Sequence, residues 1–181
     1  LFISFLPLLS IGGFGLTDDV GQVFYLWHVW HSPVSHWSDP VFTIMPCRPV
    51  YYLVLSLWPI LCGWHYEFCW IPVFLSSVVV VISTACFAWR VSGSWLAACF
   101  AAFALTLAPI HLIYATAMTN DIVAAAFVMA GAAMLVSSKS SQTAIMFLGG
   151  VLIALAGGVK INSFPLGFVI LFVAYYCSQM A

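Results

Sequence analysis

The chain has 181 residues, of which only nine are charged (four Lys or Arg, five Asp or Glu), while 65% are hydrophobic. A soluble domain carries about 25% charged residues because water must wet its surface. The composition therefore excludes a water-facing globule and predicts an all-α, polytopic transmembrane helix bundle whose outside is solvated by lipid. A net charge of −1 also removes nucleic acid as a partner, which demands a basic footprint.

In chain order, residues 1–16 form an apolar run with no positive segment before it, a poor secretory leader. With Leu1 where an initiating Met would stand, the run reads as a truncated first span, and 1–181 as one transmembrane module of a longer protein. Five further runs approach the roughly 20 apolar residues a span requires: 68–89, 95–114, 121–136, 143–159 and 164–177. The expectation is therefore about six spans, with loops at 90–94, 116–120, 137–142 and 160–163.

Segment 17–67 differs. Residues 20–46 hold Trp27, Trp30, Trp37, three His and three Pro, too polar to span and too aromatic for a free linker. The segment reads as a structured external loop with interfacial helices at 20–30 and 50–61. Residues 49–64 are apolar enough to pass for a span but short and interrupted by Pro59. Tyr51, Tyr52, Trp58 and Trp64 suit interfacial depth. In the fifth span Gly150, Ala154 and Gly158 recur every four residues and allow close helix approach.

Cytoplasmic loops carry excess Lys and Arg. Arg90 and Lys139 lie in two short loops separated by two spans, so both are assigned to the cytoplasmic face. Parity then gathers Asp18, Asp19, Arg48, Asp121 and Lys160 at the opposite face, together with Asp39 and Glu67. No formal charge falls mid-span.

Several residues can bear chemistry at that face. Adjacent carboxylates beside a membrane, Asp18 and Asp19, are expensive to desolvate. They can take a proton from an acceptor hydroxyl or hold a divalent cation, or they can cap a helix over 20–30. Arg48 can fork onto phosphate oxygens or touch lipid headgroups. Asp121 opens a span, where Thr119 or Asn120 would cap and the carboxylate would complement the dipole. Lys160 closes a span, where a Lys commonly snorkels. His28, His31 and His36 lack the second ligand motif a zinc site needs and read as interfacial polar residues. The tryptophans can stack on a sugar ring or anchor the interface. The six cysteines lie mostly in apolar runs without a CxxC; Cys62 and Cys69, flanking one loop, read as free thiols before a disulfide.

Taken in order, the pieces resemble the GT-C type glycosyltransferases that use polyprenyl-phosphate sugars, in particular the dolichyl-phosphate-mannose protein mannosyltransferase-like group. The acidic pair after the first span is Thr17-Asp18-Asp19. The basic residue with Pro and aromatics late in the first external loop is Arg48-Pro49-Val50-Tyr51-Tyr52. A Pro near the end of one span and an Asp opening the next are Pro109 and Asp121, and a Gly-rich span from Gly149 ends in Lys160. The chain departs from the pattern at Val20-Gly21-Gln22, where many relatives carry a Tyr.

The resemblance implies the N-terminal part of an inverting, multi-pass enzyme of the bacterial inner membrane or endoplasmic reticulum, active at the non-cytoplasmic face. Asp18 would act as catalytic base with Asp19 beside it. Arg48 and Lys160 would bind the donor phosphate, and Asp121 would join the active-site rim. A divalent cation at Asp18, Asp19 and Asp121 is the one cofactor it admits. The partners would be a polyprenyl-phosphate-linked sugar, membrane lipid and an acceptor (protein, lipid or glycan). A transporter or channel subunit and a non-catalytic membrane scaffold are the competing readings. What separates them is whether Asp18, Asp19, Arg48 and Asp121 converge.

Overall fold

The computed structural model describes residues 26, 27, 30, 31, 48–65, 68–116, 119–138, 142–160, 163, 165, 167–170 and 172. Seven helices are defined among them: α1 (Pro49–Leu55), α2 (Leu57–Cys62), α3 (Ile71–Ser92), α4 (Trp95–Leu107), α5 (Pro109–Thr116), α6 (Asn120–Ser137) and α7 (Thr143–Val159). No strand occurs among the described residues. The all-helical class expected from composition is the one found.

Two helices, α3 and α6, are long and apolar enough to cross a membrane, and a third span arises if α4 and α5 are counted as one. The 17-residue α7 is shorter. The runs at 1–16 and most of 164–177 lie outside the described residues, as do 20–25, Lys139 and the external-loop residues 32–47. Within the last run, residues 167–170 are helical, and Gly167 sits against Ile153 of α7, where an added Cβ would come within 2.5 Å of its Cγ2.

Local chemistry sets the helix ends. Pro72 falls in the first turn of α3, where its missing N–H costs nothing. The helix stops at Gly93, whose φ of 66° is the left-handed conformation that favours glycine, with its N–H bonded to the Trp89 carbonyl. Ser94 then caps α4, accepting a hydrogen bond from the Ala97 N–H at 3.4 Å. The Arg90 guanidinium lies over the Trp89 ring at 5.0 Å, a cation–π contact at the helix end.

The run at 95–114 departs from expectation. It is two helices, α4 and α5, bent by 68° at the break. Pro109 cannot donate to the carbonyl one turn back, and Ala108 before it is extended (φ −62°, ψ 120°). The bend is therefore covalent in origin.

Helices α6 and α7 pack antiparallel through small residues. A Cβ on Gly131 would fall 2.6 Å from Ile153 Cγ1 and 2.7 Å from the Gly149 carbonyl oxygen, and Gly149 in turn abuts Leu135. The backbones approach as only glycine allows. Because 131 faces 149 and 153, the helices run opposite, which brings the start of α6 to the end of α7.

The short pair α1–α2 packs across the same end of the bundle, against α3, α6 and α7. Its inward residues Tyr51, Tyr52, Leu55 and Trp58 join Cys69 and Val73 near the start of α3, Ile122 and Val123 at the start of α6, and Val159 at the end of α7 in one buried cluster. Its outward residues Leu53, Leu57, Ile60 and Leu61 are exposed and equally apolar. The part-exposed Ser56 is the one polar side chain within this pair.

Candidate functional site at the end of the bundle

The antiparallel α6–α7 pairing settles the surroundings of two of the expected residues. Asp121 stands in the first turn of α6 and Lys160 caps the end of α7. The Lys160 ammonium donates a hydrogen bond to Asp121 Oδ1 in an ion pair that spans 39 residues of sequence. Both side chains keep solvent access, 33% for Lys160 and 43% for Asp121. The carboxylate also meets the positive end of the α6 dipole.

Exposure on this scale limits the pair's contribution to stability to about 1 kcal/mol or less. Replacing Asp121 with Asn, Lys160 with Gln, and both together should accordingly give a coupling energy below about 1 kcal/mol in a double-mutant cycle. A coupling of several kcal/mol would mean that the pair is far more shielded than the structure shows.

The start of α6 is otherwise undersatisfied. Thr119 has the extended backbone of an N-cap (φ −101°, ψ 145°) but its side chain caps nothing. Its Oγ1 and the Nδ2 of the buried Asn120 have no hydrogen-bond partner among the described residues. The expectation that Thr119 or Asn120 caps α6 is met by backbone position alone.

Arg48 precedes Pro49 as the N-cap of α1 and is half-buried. Val50, two residues on, lies so close to Gly158, two residues before Lys160, that a Cβ there would sit 2.5 Å from Val50 Cγ2. That contact brings Arg48 to the end of the bundle that holds Asp121 and Lys160. The Arg48 carbonyl accepts from the Tyr52 N–H at 3.3 Å, while its guanidinium makes no ion pair or hydrogen bond among the described residues. Asp18 and Asp19 lie outside the described residues. Arg90, by contrast, is 17 residues beyond Val73 along unbroken α3, about 25 Å from this end at 1.5 Å per residue.

Two consequences bear on the roles expected above. Lys160 is paired with Asp121, and Arg48 is the other cation at this end among the described residues. A cation at Asp121 would have to displace the Lys160 ammonium. No group of three or more His, Cys, Asp or Glu able to hold a metal occurs among the described residues.

Around α2 an aromatic group closes the side of this end. Trp64 packs edge-on against Trp58 (5.3 Å between ring centres) and Trp30 (6.2 Å), with His31 at 5.2 Å. Trp58 donates its indole N–H to the His65 carbonyl at 2.9 Å, and His31 Nδ1 donates to the Trp27 carbonyl at 2.7 Å. His28 and His36 lie outside the described residues. Cys62 and Cys69 are both free thiols.

The sequence reading missed one polar contact. Ser77 on α3 and His111 on α5 hydrogen-bond at 2.9 Å between Oγ and Nε2, both buried. The pair ties the bent segment to α3, with His111 in the first turn of α5 and Ser77 in the second turn of α3. The signal was a lone histidine two residues after Pro109 in an apolar run, which formal charge counting passes over because His is neutral. Compared with models of protein families, with curated proteins and with solved structures, the chain matches none.

Proposed function

We propose that this chain carries the donor-handling end of a membrane glycosyltransferase of about six spans. The enzyme moves a sugar from a polyprenyl-phosphate donor to an acceptor hydroxyl at the non-cytoplasmic face. The observation that supports the reading is the gathering of Arg48, whose guanidinium has no partner among the described residues, and the Asp121–Lys160 pair at one end of the bundle, with the formal charge of Arg90 at the other. A pathway for ions would set polar groups along its length instead.

In this reading Asp18 takes the proton of the acceptor hydroxyl as it attacks the anomeric carbon, with Asp19 beside it. The bond from that carbon to the phosphate oxygen breaks, and the Arg48 guanidinium holds the departing phosphate with charge-assisted hydrogen bonds. Lys160 fixes Asp121 at the rim and keeps its charge balanced.

The test is Arg48→Ala in the intact enzyme, with turnover normalised to folded protein. Loss of a charged contact to a phosphate should weaken donor binding about ten-fold or more and lower turnover with it. Donor affinity and turnover equal to those of the unmodified enzyme would return Arg48 to a headgroup anchor and the chain to a scaffold.

A further inference from the structure

Few polar side chains are buried along α3, α4 and α5. The hydroxyls of Ser76 and Thr106 turn back onto their own helices, to the Pro72 carbonyl at 2.9 Å and the Ala102 carbonyl at 2.6 Å. Ser77 instead reaches across to His111 Nε2, and the two residues are 1% and 5% exposed. The short helix they fasten has little else to hold it. Among the described side chains of α5 only His111 and Ala115 are buried; Leu112 and Tyr114 are half-buried, and Ile110 and Ile113 are exposed. At its start the chain has just bent by 68°, at a step where Pro109 has no N–H to continue the helical ladder.

A neutral imidazole with one hydroxyl partner is stable in such a place. An imidazolium is not, because an unpaired charge in apolar surroundings is expensive. No free counter-charge stands near it among the described residues. Helices α3, α4 and α6 pack against α5. On α3 the ionisable side chains are Cys86 and Arg90, about 14 and 20 Å beyond Ser77 at 1.5 Å per residue. On α4 the one such side chain is Cys99, which is exposed, and on α5 itself it is Tyr114. On α6 it is Asp121, whose carboxylate is taken by Lys160.

We propose that α5 is a proton-sensitive strap between α4 and α6. It lies docked on α3 while His111 is neutral and comes away when the imidazole gains a proton, because only the released ring can be hydrated. Histidine in water titrates at about pH 6.5, so the docked form loses stability as the pH falls below that value. The strap does not depend on the glycosyltransferase reading.

Hydrogen exchange of the amides at 110–116, with the full chain in phosphatidylcholine nanodiscs, tests the strap. Each rate is divided by that of an unstructured chain at the same pH. Protection of α5 should fall about ten-fold or more between pH 7.5 and pH 5.0, with α7 unchanged. His111→Gln keeps a hydrogen bond to Ser77 and cannot titrate, so it should leave α5 equally protected at both pH values. Ser77→Ala should lower protection about five-fold at pH 7.5 and leave the further fall on acidification in place.

A fall in α5 protection that persists in His111→Gln would overturn the strap, since another group would then be responsible. So would equal protection of the unmodified chain at both pH values. Should His111→Gln lose protection in α7 as well, which would mark misfolding, His111→Leu takes its place and the same two outcomes decide.

Discussion

Under the proposed glycosyltransferase function, exchanging Asp18 for Asn in the intact protein is expected to lower turnover about a hundred-fold or more, the usual loss when a general base is removed, with donor binding largely kept. Asn preserves size and most hydrogen bonding but cannot accept the acceptor's proton. Nucleophilic attack on the anomeric carbon would then generate an uncompensated oxonium at the moment the phosphate leaves. Arg48→Ala strikes the other end of the same reaction, at the departing oxygen, so it should raise the concentration of donor needed as well as depress the rate. The contrast separates base from phosphate ligand. It also separates both from a structural role, in which the variants lose folded protein while activity per folded molecule stays constant. Turnover of the Asn enzyme close to that of the unmodified one would end the assignment of Asp18.

The second large effect is expected at Gly131. Its missing side chain lets α6 lie against α7 so closely that an added methyl would meet the Gly149 carbonyl oxygen at 2.7 Å, a backbone atom that cannot rotate away. Gly131→Ala should therefore destabilise the folded chain by about 1–3 kcal/mol through overpacking, even though Ala is intrinsically the better helix former by about 1 kcal/mol. Gly150 on α7 provides the contrast, since nothing lies within 4 Å of its would-be Cβ. Gly150→Ala should be neutral or slightly stabilising for the same propensity reason. Thermal unfolding in detergent measures both. If Gly131→Ala melted with Gly150→Ala, the helices would not be in the contact described. Because Asp121 and Lys160 are brought together by this same packing, the Gly131 variant should also loosen their ion pair.

Much of the helical layout was legible because it depends on local chemistry. The run at 143–159 coincides with α7 and that at 121–136 with α6 to within a residue at each end. Gly93 and Ser94 end one helix and cap the next as their chemistry requires. The bend at Pro109 was hidden because hydropathy is continuous across it; a missing N–H changes direction without changing polarity. The buried side of α1–α2 is where its aromatics Tyr51, Tyr52 and Trp58 lie, which hydropathy alone does not distinguish from an outward position. Pairings between distant residues had no local signal at all. Asp121 and Lys160 were each legible as helix-end charges, but the contact between them depends on glycines at 131 and 149, whereas the sequence pointed to Gly150, Ala154 and Gly158, and nothing lies within 4 Å of a Cβ on Gly150. Ser77 and His111, 34 residues apart, became partners only through the fold. For the proposed site, helix-end positions were readable and charge balance was not: the Lys160 ammonium is paired with Asp121.

With only Gly93 and Ser94 between them, α3 and α4 form a hairpin whose arms meet as soon as both are synthesised. Closing so short a loop costs little chain entropy, and contacts that are close in sequence form early. Arg90 keeps a formal charge beside that turn, at the end of α3. The α3–α6 contact, by contrast, joins segments some 45 residues apart and must wait for α5 to bend back. The order of assembly thus begins at the end of the bundle far from Arg48 and Asp121, and the charged end is completed last.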